Sequence, residues 1–133
     1  MNGMIDLLNV GIGVILTLLI LHIGTFVFSK LTKFDDLKEI QNGNEAAGIY
    51  LGSKLIGLSI IMAMVSYSSH SWMAMIIWSV VGMLTLSLVY LLFDFLTPKF
   101  KVCDEIAKGN KAVAQLLRAV IIGTSIVLGT ILM

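Results

Sequence analysis

Four ionisable residues stand inside long apolar runs of this chain: His22, Lys54, Asp94 and Arg118. The runs are long enough to cross a bilayer, where such a group costs about 2.5–3.5 kcal/mol at a helix centre and so faces a partner or a wet cavity. Counted from the lysine-flanked ends of their runs, His22 lies about seven residues deep, Lys54 about eight and Arg118 about six. At 1.5 Å per residue they share a level roughly 9–13 Å below the interface. Asp94 is shallower, close to Pro98. One carboxylate for two cations and a titratable imidazole makes a net positive pocket. The functional reading is an anion, headgroup or substrate site, with His22 as its pH-sensitive member. The competing reading has Lys54 and Arg118 snorkelling to lipid phosphates, while Asp94 makes one bundle-locking pair with an outward-leaning Arg118. Lipid tolerates charge best in the outer third of a span, which favours the second reading.

Other chemistry finds little support. No Ser/His/Asp arrangement, P-loop or metal-ligand spacing is present. Gly11-x-Gly13 follows no strand and lacks the third glycine of a nucleotide fingerprint. Cys103 is the only cysteine, so there is no internal disulfide and no metal framework. The eight methionines fill irregular apolar space and need no cofactor. Neither an enzyme nor a cofactor nor a metal is expected, and a net charge of +1 points to no nucleic acid.

The elements that must position these residues follow from composition. Of 133 residues, 58% are hydrophobic and 13% charged, with mean hydropathy +0.99. A soluble domain is about 25% charged, so the solvent here is largely lipid. Four runs reach the roughly 20 residues that span a bilayer core: about 7–29, 46–66, 72–96 and 112–132. Lipid offers backbone groups no hydrogen bonds, so these are helices, and no alternating polarity suggests barrel strands. The first run is too long for a signal-peptide core, and no Lys or Arg precedes it, so no cleavable signal is expected. The expected fold is a single all-α membrane domain of four spans.

The connectors orient it. Lys30, Lys33, Lys38, Lys99, Lys101, Lys108 and Lys111 all fall in the first and third connectors, whereas Tyr67-Ser68-Ser69-His70-Ser71 in the second carries no Lys or Arg. The positive-inside rule makes the lysine side cytoplasmic and puts both termini outside. Tyr67, His70 and Trp72 suit the outer interface, and Cys103 lies in the reducing compartment.

One octet is written twice. Glu39-Ile40-Gln41-Asn42-Gly43-Asn44-Glu45-Ala46 returns 66 positions later as Glu105-Ile106-Ala107-Lys108-Gly109-Asn110-Lys111-Ala112, and at that offset 12 residues match over 33–60. The chain therefore reads as two tandem parallel two-helix repeats, about 1–68 and 69–133. Phe34, Leu37 and Ile40, then Phe100, Cys103 and Ile106, sit at helical spacing and predict short interfacial helices. Gly43 and Gly109 are expected to end those helices in the left-handed conformation. Asn44 and Asn110 are expected to cap the spans that follow. Within those spans, Ser53-x-x-x-Gly57 and Ala119-x-x-x-Gly123 occupy equivalent positions and let backbones approach, either across the pseudo-two-fold axis or at an oligomer face. Gly11, Gly13 and Gly82 read the same way.

A four-span chain with an Asn-Ala signature opening its second and fourth spans resembles the YjfL-like family of bacterial inner-membrane proteins, domain of unknown function family 350. Asn44-Ala46-Ala47 and Asn110-Ala112 match that signature, with Val113 in place of a second small residue. The resemblance implies a multi-pass protein of the bacterial inner membrane, associated with phage-shock-type membrane-stress proteins and ATP-grasp enzymes, and carries no catalytic residue. The expected function is a non-enzymatic component of the lipid bilayer that works as a homo-oligomer with cytosolic membrane-stress partners. The alternative is an oligomeric channel or carrier using the polar pocket, and an enzyme accessory acting on lipid or polyamine comes last.

Overall fold

A computed structural model of the protein describes residues 3–30, 36–69, 71–96 and 101–132. They form six helices: α1 (Gly3–Ser29), α2 (Asp36–Gln41), α3 (Glu45–Ser69), α4 (Trp72–Leu96), α5 (Val102–Ala107) and α6 (Lys111–Leu132). Among the described residues there is no strand, and α1, α3, α4 and α6 are long and apolar enough to cross a membrane. Lys33, Phe34, His70, Pro98, Lys99 and Phe100 lie outside the described residues.

Two helices overrun the lengths read from hydropathy. α1 begins at Gly3 and α3 continues to Ser69. A helix satisfies its own backbone, so nothing obliges it to stop where apolar residues stop. Ser71 then starts α4, its Oγ accepting a hydrogen bond from Ala74 N at 3.3 Å, an N-cap in the turn.

α3 is the hub. It packs most extensively on α6, then on α4 and α1, and it touches both short helices. Half of its apolar window is buried, against 11% for α1, which lies at the periphery. Glycines set the closest approaches. A Cβ built at Gly57 of α3 would overlap Ser125 Oγ of α6 and lie 3.3 Å from Ile121 Cγ2 and Leu86 Cδ1. At Gly82 of α4 it would lie 3.1 Å from Ile61 Cδ1 of α3, and at Gly24 of α1 3.0 Å from Leu58 Cδ2. In membranes, where burial from water does not draw helices together, such fit is much of what holds a bundle. The hydroxyls inside the bundle donate back to their own helices: Ser53 to Tyr50 O, Ser87 to Met83 O and Ser125 to Ile121 O, each at 2.7 Å. Each of these three hydroxyls is thus paired within its own helix.

The two octets fold alike. Gly43 (φ 88°) and Gly109 (φ 85°) take the left-handed conformation that ends α2 and α5. In each, the glycine amide reaches the isoleucine carbonyl (Gly43 N to Ile40 O 3.0 Å, Gly109 N to Ile106 O 2.9 Å). The next amide reaches the glutamate carbonyl (Asn44 N to Glu39 O and Asn110 N to Glu105 O, both 2.9 Å). This pair of bonds is a Schellman closure. Asn44 Oδ1 then accepts from Ala47 N (3.2 Å), and Asn110 Oδ1 from Ala112 N and Val113 N (3.1 and 3.3 Å), capping α3 and α6. The octet glutamate explains its own presence: Asn44 Nδ2 donates to Glu39 Oε2 at 3.1 Å and Asn110 Nδ2 to Glu105 Oε2 at 2.9 Å. Both octets meet at one end of the bundle, the octet end.

The copies then diverge. Asn44 Nδ2 also reaches across to Ile106 O (2.9 Å) and Ala107 O (3.3 Å), the last carbonyls of α5. Lys111 Nζ meets Glu45 Oε2 at 3.2 Å; these are the same octet position with opposite charges, though exposed, so the pair is worth about 0–1 kcal/mol. Of the two apolar stripes, Cys103 and Ile106 are buried in the bundle along with Val102, while Leu37 (57%) and Ile40 (37%) stay exposed on α2. Asn44→Ala should therefore cost more than Asn110→Ala. Losing an N-cap removes about 0.5–2 kcal/mol, and Asn44 additionally deserts two carbonyls of α5. Thermal midpoints in detergent, with amide exchange over the first turns of α3 and α6, check this; equal losses at both positions would refute the asymmetry.

Candidate functional site

Lys54 is a fully buried charge, 0% exposed, on the helix at the centre of the bundle. A helical side chain leans toward its own N-terminus, so the Lys54 stem runs back one turn toward Tyr50. There its ammonium donates a hydrogen bond to Tyr50 Oη. Three rings surround it: Tyr50 of α3 at 4.3 Å from the centroid, Tyr90 of α4 at 4.5 Å and Phe28 of α1 at 5.1 Å. Tyr50 and Tyr90 pack edge to face, centroids 5.3 Å apart at 65°. Phe28 and Tyr50 are 0% exposed and Tyr90 3%. Taking an ammonium out of water costs several kcal/mol. Ring faces return about 2 kcal/mol or more when desolvated, and the phenol oxygen adds a charge-assisted bond. The cage draws one residue or more from each of α1, α3 and α4, so the charge and the helix packing depend on each other.

The other three ionisable residues occupy separate surroundings. Arg118 is exposed on the outer side of α6, its Nη1 donating to Gln115 Oε1 at 3.4 Å. It borders an open groove of about 390 Å³ between α3 and α6, with Glu45, Gly48, Gly52, Ser53 and Ile56. Asp94 accepts the Val102 amide through Oδ1 at 3.0 Å, taking a first-turn donor of α5 that Lys101 leaves uncapped. His22 is exposed on α1, beside Thr25, Phe26, Ser29, Lys30 and Leu37. The sequence reading that pairs Arg118 with Asp94 and gathers all four into one pocket is thus not the arrangement within one chain. Depth along a helix is legible from sequence; azimuth is not. On α1 the buried residues are Ile20, Gly24 and Phe28, four apart, which turns His22 outward.

Sequence reasoning singled out Lys54 but missed its cage. The Tyr50-x-x-x-Lys54 spacing was the available signal, since residues four apart on a helix meet. Phe28 and Tyr90 carried none, because only packing brings them in. Among the described residues no three His, Cys, Asp or Glu gather in a way that could hold a metal.

The model of one protein family, Domain of Unknown Function (DUF350), matches residues 3–132. The chain belongs to that family. DUF350 membership extends over both octets and all four long helices. A relative, the UPF0719 transmembrane protein YshE of Bacillus subtilis (strain 168), is 35% identical over 101 residues, 76% of this chain and 75% of its own length. No solved structure matches. With four long apolar helices, this DUF350 chain is a multi-pass membrane protein of an uncharacterised transmembrane family.

Proposed function

We propose that this chain is a non-enzymatic component of the bacterial inner membrane that works by assembling with copies of itself. The observation that carries the reading is the outward face of α6. α1 and α4 present large apolar residues to the surroundings, among them Leu7, Leu18, Phe26, Ile77, Leu84 and Phe95. α6 also exposes Leu116, Ile126, Val127 and Ile131, but among them it turns out Gln115, Arg118, Ala119, Gly123 and Thr130. A Cβ at Gly123 would meet nothing within 4 Å, whereas its repeat equivalent Gly57 is packed tight against α6. A small and polar stripe on a membrane helix suits another helix better than lipid, and an exposed Arg in a span favours a covered state. The preferred occupant is a second copy.

The matching geometry of the two octets supports a tandem two-unit architecture. The lysine-rich connectors support a cytoplasmic octet end with both termini outside, and Leu37 and Ile40, exposed on α2, suit an interfacial helix there. That end is the face a cytosolic membrane-stress partner would meet.

Gly123→Leu tests the assembly. The wild type in mild detergent should run at a multiple of 14.5 kDa, and the variant should fall to a monomer with its helical content intact. A wild type that is monomeric in both detergent and lipid discs defeats the reading. The same stripe favours a second reading, an oligomeric channel or carrier with Gln115 and Arg118 facing a shared path. Unchanged flux in conducting liposomes after Arg118→Leu would sink it.

A further inference from the structure

An open groove of about 400 Å³ lies between α1 and α2 at the octet end, within the roughly 300–1,000 Å³ range of ligand clefts. Its described lining is His22, Thr25, Phe26, Ser29, Lys30 and Leu37, with no carboxylate among them. Two other grooves at this end both contain Glu45. Steps of three and one place the five α1 residues on a single helix face. Lys30 turns back along α1. Its ammonium lies 4.9 Å from the Phe26 ring centroid. His22, exposed, stands about 12 Å further along the same helix. Beyond it the face continues through exposed Leu19, Leu18 and Ile15, three and four residues back in turn. The groove therefore joins a cationic head at the membrane edge to an apolar track running into the span.

We infer that this groove binds one anionic phospholipid, its phosphate between Lys30 and His22 and an acyl chain along Phe26, Leu19, Leu18 and Ile15. Charge complementarity selects the anionic headgroup, and the apolar track selects a lipid over a free phosphate. A snorkelling lysine would need neither the folded-back pose nor a described groove lining free of carboxylates. The site stands apart from the α6 face and does not depend on assembly.

The test is native mass spectrometry of the full chain released from nanodiscs of phosphatidylglycerol and phosphatidylcholine in equal parts. The wild type should retain phosphatidylglycerol preferentially. Lys30→Ala should weaken that preference about fivefold, the worth of one basic side chain at a membrane surface, and Lys30→Ala with His22→Ala should abolish it. Leu37→Glu, which sets a carboxylate on the lip without touching α1, should abolish it too and guards against misfolding of the α1 variants. Lys111→Ala and Arg118→Ala, at the same end but outside the groove, should leave it intact. Equal retention of both lipids, or equal losses from the Lys111 and Arg118 variants, would overturn the site in favour of diffuse attraction. Displacement of the bound lipid by soluble glycerol phosphate would overturn it in favour of a free-anion site.

Discussion

Lys54→Ala is expected to destabilise the purified protein by on the order of 2–5 kcal/mol, the range for truncating a long buried side chain. The side chain is 0% exposed, so its loss leaves a void that three helices must close. The rings of Phe28, Tyr50 and Tyr90 lose the cation they share, and Tyr50 Oη loses its donor. Two companions separate the contributions. Lys54→Met keeps a stem of similar length and removes the charge, so it should fall well short of the alanine loss; ring attraction and the cost of burying an ammonium then largely offset each other. Tyr50→Phe keeps the ring and takes away the acceptor, leaving a buried cation short of a bond, at about 1–3 kcal/mol. Thermal unfolding in mild detergent gives all three numbers, and exchange of α1 amides reports whether α1 loosens first. An alanine variant that unfolds with the wild type would mean the cage holds nothing together.

Gly57→Leu should be comparably severe, because it strikes the most extensive helix contact in the molecule. Even one methyl there overlaps Ser125 Oγ, whose hydroxyl is tied to Ile121 O at 2.7 Å. Overpacking a fitted interface costs about 1–3 kcal/mol and occasionally more, and a leucine must also displace Ile121 and Leu86. Gly57→Ala with Ser125→Gly should recover much of the loss of Gly57→Ala alone, since the second change removes the atom in the way. Gly123→Leu, at the equivalent repeat position, should leave the folding of the single chain within about 0.5 kcal/mol, as surface changes do. Equal damage at Gly57 and Gly123 would show that α6 packs through both faces in one chain.

These two sites also mark where reading from sequence reached its limit. Gly57 and Gly123 match at the octet's own offset, and so do Ser59 and Ser125. Equivalence in sequence suggested equivalent packing. In the fold Gly57 faces Ser125 while Gly123 faces out. Likewise Asn44 and Asn110 cap alike, yet Asn44 alone, among the described bonds, reaches the other octet. A repeat constrains local geometry at each copy but not the partner each copy meets.

By itself the sequence determined the kind of object: all-helical, four spans, membrane-embedded, with a glycine stop and an asparagine cap written twice. Those properties depend on hydropathy over about 20 residues and on backbone conformation over five or six, both local quantities. It also gives each charge's position along its helix, which is a simple count. The tertiary structure alone decided which way each charge faces. Lys54 turns into three aromatic rings, Arg118 and His22 turn out, and Asp94 ends α5's search for a cap. Azimuth depends on which helices are neighbours, and with nearly uniform apolar faces on α1, α3 and α4 no stripe in the sequence records that choice.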